Sequence, residues 1–251
     1  MEGSASPIPL ADIATIGPYF ELTSLGKSEH EGWLAVRTLI DDAGRLRRMI
    51  DDVAVRLGTR QRWIAASVFY QGWAARLTSV YTASAALCGA VPDLGAGLVS
   101  FRPRHPGPVE LDVAPLRPLT PAAGWRRMRA DHLDPLATAI RGEVRIGEHL
   151  LRGNVGSALA GALSIVSAQR QLPLESLLSE NWAHPDDLAL SGRWLRTPDG
   201  PRYARLTCCG YDQLDQRGRC GDCSLNWHGG RWPVFAAAPD PPRAESRSHE
   251  P

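Results

Sequence analysis

The sequence predicts a mostly α-helical α+β fold: long helical hairpins, a small β-sheet, and a C-terminal segment bearing a cysteine cluster. Three observations predict it. Apolar residues recur at helical spacing from Trp33 to Tyr81 and again from Gly147 to Arg170. A Pro- and Gly-rich section, Val91 to Pro121, holds two short β-like runs. Cys208, Cys209, Cys220 and Cys223, four of the five cysteines, stand in the spacing C-C-x10-C-x2-C.

Residues 1–8 read as a frayed leader, and Pro9 to Ile16 as a short helix stopped by Gly17-Pro18. Ser28 with Glu31 three residues later has the capping-box pattern. From there Trp33, Val36, Ile40, Ala43, Ile50, Val53 and Leu57 form one apolar stripe, a single helix of about seven turns ended by Gly58. Thr59 caps the next helix, which carries Trp63, Ile64, Val68, Phe69, Trp73, Leu77 and Tyr81 and runs to about Leu87. Two long amphipathic neighbours are expected to pack as an antiparallel hairpin. Asp41-Asp42 and Asp51-Asp52 lie roughly 280° apart around such a helix, so they read as solvated surface and not as paired carboxylates. Cys88, at the end of an apolar helix, reads as a small buried hydrophobe.

Short strands are expected at Gly97–Phe101 and Val109–Val113, with Arg102, Arg104 and His105 as a basic loop between them. Trp125 to Arg129 is a second basic stretch. Helices are expected over Asp131–Arg141 and Gly147–Arg170. The latter carries Gly153, Ser157 and Gly161 on one face, small enough for another backbone to approach closely, and a polar Asn154 in its middle. Glu148-His149 has no second ligand at helical spacing, so it does not read as a metal site. Leu174 to Trp182 reads as a last short helix before a hinge at His184-Pro185. Trp194-Leu195, the turn Thr197-Pro198-Asp199-Gly200 and Tyr203 to Leu206 make a β-hairpin leading into the cysteines. The domain reading is a leader over 1–8, a helical substrate-binding body over 9–197, a cofactor segment over 198–238 and a disordered Pro-rich tail over 239–251.

Thiolates are soft anionic donors that suit zinc and iron–sulfur clusters, and both centres take four protein ligands. The C-x2-C pair aims two sulfurs at one point, and Gly210, Gly218 and Gly221 let the backbone turn tightly around it. Adjacent residues on a strand face opposite ways, so Cys208 and Cys209 converge only if the strand breaks, and Gly210 offers the break. Three readings of the four cysteines stand at this point: a 2Fe–2S cluster, a structural zinc site, and disulfides. Zinc modules ordinarily use two C-x2-4-C knuckles, and a vicinal disulfide is strained.

In the form R-x2-C-C-x-Y followed by G-x-C-G-D-C-x-L, this stretch resembles the signature of the FhuF-like ferric-siderophore reductases. The matching residues are Arg205, Cys208, Cys209, Tyr211, Gly218, Cys220, Gly221, Asp222, Cys223 and Leu225. The similarity is close over 198–225 and looser at Leu150 to Leu159; Asp212 stands where many members carry an aromatic residue. The resemblance implies that Cys208, Cys209, Cys220 and Cys223 hold a 2Fe–2S cluster, the cofactor of a one-electron reduction of a ferric siderophore. Arg102, Arg104, Asn154, Arg205 and Arg219 are then the candidate contacts to an anionic ferric chelate, and Trp227 and Trp232 candidate covers of the cluster. Two other readings remain: a siderophore- or partner-binding protein stapled by zinc, and an electron carrier.

Composition sets outer limits. The length of 251 residues suits one domain with a small appendage, and a net charge of +1 gives no general attraction to nucleic acid or anionic membrane, so at most peripheral membrane association is expected. Met1 to Pro9 lacks the layout of a secretion signal and the apolar run Val155–Ala168 is short for a membrane span, so the expectation is a reducing cytoplasm. No G-x-G-x-x-G after a strand, Walker loop or G-x-S-x-G elbow occurs. A separate electron donor, protein or small reductant, is therefore expected.

Overall fold

The computed structural model describes residues 8–26, 32–183, 185, 191–214 and 218–226. The leader to Pro7, the Ser28–Glu31 capping box, His184, Asp215, Arg217, both tryptophans at 227 and 232 and the tail from 239 lie outside the described residues.

Pro9 and Gly17 bracket α1 (Leu10–Ala14). The single long helix expected from Trp33 to Leu57 is instead three elements: β1 (Leu34–Ala35), α2 (Arg37–Asp41) and α3 (Ala43–Leu57). Asp42 causes the second break. Its backbone is extended and its carboxylate accepts the Arg45 N–H at 2.9 Å, an N-cap that restarts the helix. The Arg45 N–H also holds that carboxyl below its ordinary pKa. The first break is tertiary, because Leu34 and Ala35 pair with a later strand. Downstream the stripe holds, with Leu46, Ile50 and Val53 buried and Gly58 closing α3 at φ +66°.

α4 (Arg62–Cys88) has the expected extent but not the expected character. From Ile64 to Ala85 it is buried on almost every side, with Ala65, Ala66, Ala74 and Ala83 letting neighbours close in. A core helix of this kind has no polar face to show. After it come β2 (Val91–Pro92), β3 (Val99–Arg102), β4 (Glu110–Val113) and β5 (Pro118–Leu119). They form an antiparallel sheet of order β1-β3-β4 and a two-stranded β2–β5 ribbon. Phe101 of β3 meets Trp73 of α4 edge-on, with ring centroids 5.4 Å apart. Arg76, 1% exposed, ties α4 to the surrounding chain by donating to the carbonyls of Val109, Tyr19 and Glu21.

α5 (Pro121–Met128) was not anticipated: the basic stretch Trp125–Arg129 folds as a helix that buries Trp125 and Met128. Thr120 caps it and Pro121 starts it. A single π turn (Arg129–Leu133) then joins it to α6 (Asp134–Glu143). The irregular turn precedes Pro135, whose ring and missing N–H do not fit a regular helical ladder. α7 (Glu148–Arg170) lies against α4, its most extensive neighbour. By composition α7 is apolar enough to cross a membrane, yet 67% of that window is buried within the protein. α8 (Leu174–Leu178) and the hairpin of β6 (Gly192–Thr197) and β7 (Gly200–Arg205) follow. The expected domain boundary at 197/198 therefore falls inside this hairpin's turn, which ties the cysteine segment to the body.

His132 of the π turn is fully buried beside Trp73, at a centroid distance of 6.2 Å, and donates Nε2–H to the Leu94 carbonyl. Burial holds its imidazole down to about 4. An unfolded histidine titrates near 6.5, so between these values the unfolded chain binds the extra proton. Folding stability is then complete above about pH 6.5 and falls as pH drops toward 4, by about 3 kcal/mol from this group. Urea unfolding across pH 4.5–7.5 should show this fall, and the wild-type minus His132→Gln difference should shrink with acid.

Candidate metal centre

β7 delivers the first half of the site. The Leu206 N–H donates to Ser191 O at 3.0 Å, extending the hairpin past Arg205. The strand itself ends at Arg205, before the cysteine pair, and Gly210 turns the chain just after the pair with φ +83°. Its N–H turns back to Cys208 Sγ at 3.3 Å, and the Tyr211 N–H faces the Cys209 sulfur. Only glycine fits here, because a Cβ would overlap the Trp63 ring at the start of α4. The second half is a tight turn. Cys223 N–H donates to Cys220 O at 3.1 Å, and the Asn226 side chain donates to the same carbonyl at 3.0 Å. The Arg205 N–H joins the halves by donating to Asp222 O at 3.1 Å.

All five cysteines are free thiols. Each half contributes one buried sulfur residue, Cys209 at 3% and Cys223 at 1% exposure, and one half-buried residue, Cys208 and Cys220. Three of the cysteines lie near one another at 4.2 Å. Among the described residues, no three His, Cys, Asp or Glu side chains are closed around a single ion.

The thiols differ sharply in acidity. The Cys220 thiol, hydrogen-bonded to Cys209, draws the Cys209 thiol down to about 6, with help from the Arg205 charge. The same bond, with burial, pushes Cys220 up. Burial pushes Cys208 up to about 12, aided by its bond to Asp212 Oδ1 at 3.0 Å. Two like charges about 4 Å apart repel by roughly 4 kcal/mol at an effective dielectric of ~20. Thiolates at this spacing therefore need a cation among them. Soft donors, N–H groups aimed at sulfur and a nearby guanidinium fit a four-thiolate metal centre, mononuclear or a cluster.

The candidate substrate residues are scattered. Arg102 pairs with Glu110 at 2.5 Å and stacks over Trp33 at 5.2 Å, and Arg104 faces Glu21 at 3.8 Å. Arg219 donates to Leu225 O at 3.1 Å, bracing the cysteine turn. Asn154 and Arg205 are both 0% exposed and bonded to each other, so neither side chain lines an open cleft. Cys88 is half-buried rather than buried, and donates to Ser84 O and Ala90 O. It lies about 36 Å along α4 from Ile64 at the site. The stripe Gly153, Ser157, Gly161 also divides. Gly153 backs onto Thr207 and Ser157 accepts from Gln71 Nε2, whereas Gly161 faces open space.

A cavity of about 220 Å³ that the sequence did not announce lies between α4, α6 and α7, lined among others by Tyr70, Arg129, Arg141 and Arg152 with Asp134 and Glu148. Arg129 pairs with Asp134, while Arg141 and Arg152 share Glu148, leaving one cation in excess. Arg152 directly precedes Gly153, so this cavity and the cysteine turn occupy neighbouring faces of one helical turn. Its lining comes from three separate stretches, around 70, 129–141 and 148–155, which no local motif connects.

No protein-family model matches the chain, and no curated protein matches it.

Gly210→Ala forces a side chain into a left-handed position, at roughly 1–2 kcal/mol, and against Trp63. We expect the far-ultraviolet circular dichroism to stay native while bound metal per chain falls by at least half, measured by elemental analysis.

Proposed function

We propose that the chain is an iron–sulfur oxidoreductase that reduces a ferric chelate by one electron, as its resemblance to the FhuF-like ferric-siderophore reductases implies. What supports this reading is the proximity of three of the four motif cysteines at 4.2 Å, with one buried and one half-buried residue in each half of the motif. These four would hold the 2Fe–2S cluster, whose chemistry when bound is the supply of single electrons.

The chain's own part is to hold and shield. Cys209 and Cys223 sit on the protein side of the site, and Cys208 and Cys220 on the solvent side, where a chelate can approach. Exposed Leu206 adjoins that edge. An anionic chelate is favoured by the excess cation of the Arg129–Arg141–Arg152 cavity and by the exposed Arg219. The substrate iron leaves because hard oxygen donors hold Fe(III) tightly and Fe(II) far more weakly. One electron in, from a separate donor, balances one electron out to the chelated iron. Cytoplasmic placement suits this chemistry, because reduced thiols and the released Fe(II) both persist there.

Anaerobic purification without reconstitution tests the reading. Iron and acid-labile sulfide near two of each per chain are expected, with a visible spectrum that bleaches under dithionite and returns on adding a ferric siderophore. A colourless protein with one zinc ends the reductase reading in favour of a zinc-stapled binding protein. A bleaching protein that no ferric siderophore reoxidises is an electron carrier. Cys220→Ser should remove the visible spectrum, and Cys88→Ser should leave it within about 10% of wild type; loss in Cys88→Ser means the ligands are misassigned.

A further inference from the structure

The buried polar cluster beneath the cysteines is not consumed by the reading above. Arg205 is 0% exposed. Its guanidinium donates to two neutral amides, Asn154 Oδ1 of α7 and Gln71 Oε1 of α4, the latter at 3.5 Å, and its Nε has no hydrogen-bond partner. Asn154 is fixed in turn by donating to Ser67 O and Ser67 Oγ, each at 3.0 Å, and Gln71 by donating to Ser157 Oγ at 3.2 Å. Amides orient a cation without neutralising it. A buried charge is costly unless an anion faces it. The anionic groups the chain brings beside Arg205 are the sulfurs of the motif that begins three residues on and the carboxylate of Asp222, whose carbonyl accepts the Arg205 N–H at 3.1 Å and whose buried Oδ2 has no hydrogen-bond partner. Asp212 and Asp222 act on the thiols in the opposite sense.

We propose that Arg205, held by Asn154 and Gln71, is a positioning residue that serves as the fixed counter-charge of the four-thiolate centre. This rests on the four cysteines forming one centre, and not on which metal fills it. Four thiolates leave a tetrahedral divalent site at net −2. An oxidised 2Fe–2S site also carries −2, becoming −3 when it takes one electron. Arg205 stabilises the more negative state in both cases. It therefore tightens divalent-metal binding and raises the reduction potential.

Two charge-altering variants separate charge from packing. Arg205→Gln removes the cation. Gln71→Glu keeps every atom position and both contacts but sets a carboxylate against the guanidinium. Arg205→Lys retains the charge and serves as the rescue. In as-purified protein we expect Arg205→Gln and Gln71→Glu to shift the midpoint potential negative by at least a tenfold change in equilibrium constant, 59 mV for one electron, with Arg205→Lys inside that margin. In metal-free protein, cobalt(II) titration followed by its visible absorption should show at least tenfold weaker binding in the same two variants. Should wild type contain no iron or sulfide while the cobalt result holds, the reductase reading fails and the counter-charge stands. Should Gln71→Glu match wild type in both measurements, the counter-charge is overturned, and this variant decides alone if Arg205→Gln does not fold. Wild type that binds neither a cluster nor cobalt overturns both.

Discussion

The bond between the Arg205 guanidinium and Asn154 is the constraint on which the arrangement of the C-terminal third depends. It fixes β7 to α7 at the last residue of the strand, three positions before Cys208, while the contact to Gln71 fixes the same side chain to α4. The Arg205 main chain meanwhile holds the second cysteine turn through Asp222. One residue thus links both long core helices to both halves of the site. A neutral residue there would leave Asn154 and Gln71 with unsatisfied buried acceptors, each costing about 1–3 kcal/mol. The body and the cysteine segment are therefore packed against each other through this one side chain.

That linkage works because α4 and α7 present small residues where the hairpin lands. A Cβ at Gly153 would overlap Thr207, and one at Gly156 would overlap Ser191 and the Tyr203 hydroxyl. Ser191 and Tyr203 are themselves hydrogen-bonded at 2.9 Å, and Tyr203 packs on Trp194 with centroids 5.4 Å apart. The hairpin thus lies directly on helix backbone, which is the most rigid support the fold provides. Loop-borne ligands held on such a base keep their geometry better than ligands on loops alone.

How far the sequence could be read follows from the range of each interaction. The α3, α4 and α7 helices, the β3–β4 and β6–β7 pairs and the Gly210 turn all rest on local spacing or backbone conformation, so the chain announces them. The split of the first stripe at Asp42 was missed because helical period survives a cap: Ile50 and Val53 stay in phase on either reading. β1 was hidden since two residues become a strand only by pairing with Ser100 and Phe101, far along the chain. The basic stretch before α6 concealed a helix, its charges being on the outer face. At the site, ligand type and spacing were legible. Burial of Arg205 and Asn154 was not, because each is tolerable inside only through its partner some fifty residues away.

The electrostatics of the vicinal pair carry this one step further. Cys208 and Cys209 are neighbours in sequence, yet one faces a carboxylate and the other a cation. Burial and the bond to Asp212 hold the first thiol up, whereas the bond from Cys220 and the Arg205 charge draw the second down to about 6. Holding a cation would require deprotonating Cys208 and Cys220, the two half-buried members, whose thiols are pushed up. Without its proton Cys208 would no longer donate to Asp212 Oδ1. An aromatic residue at 212 could not accept this bond, so the carboxylate at that position sets the field at the Cys208 thiol.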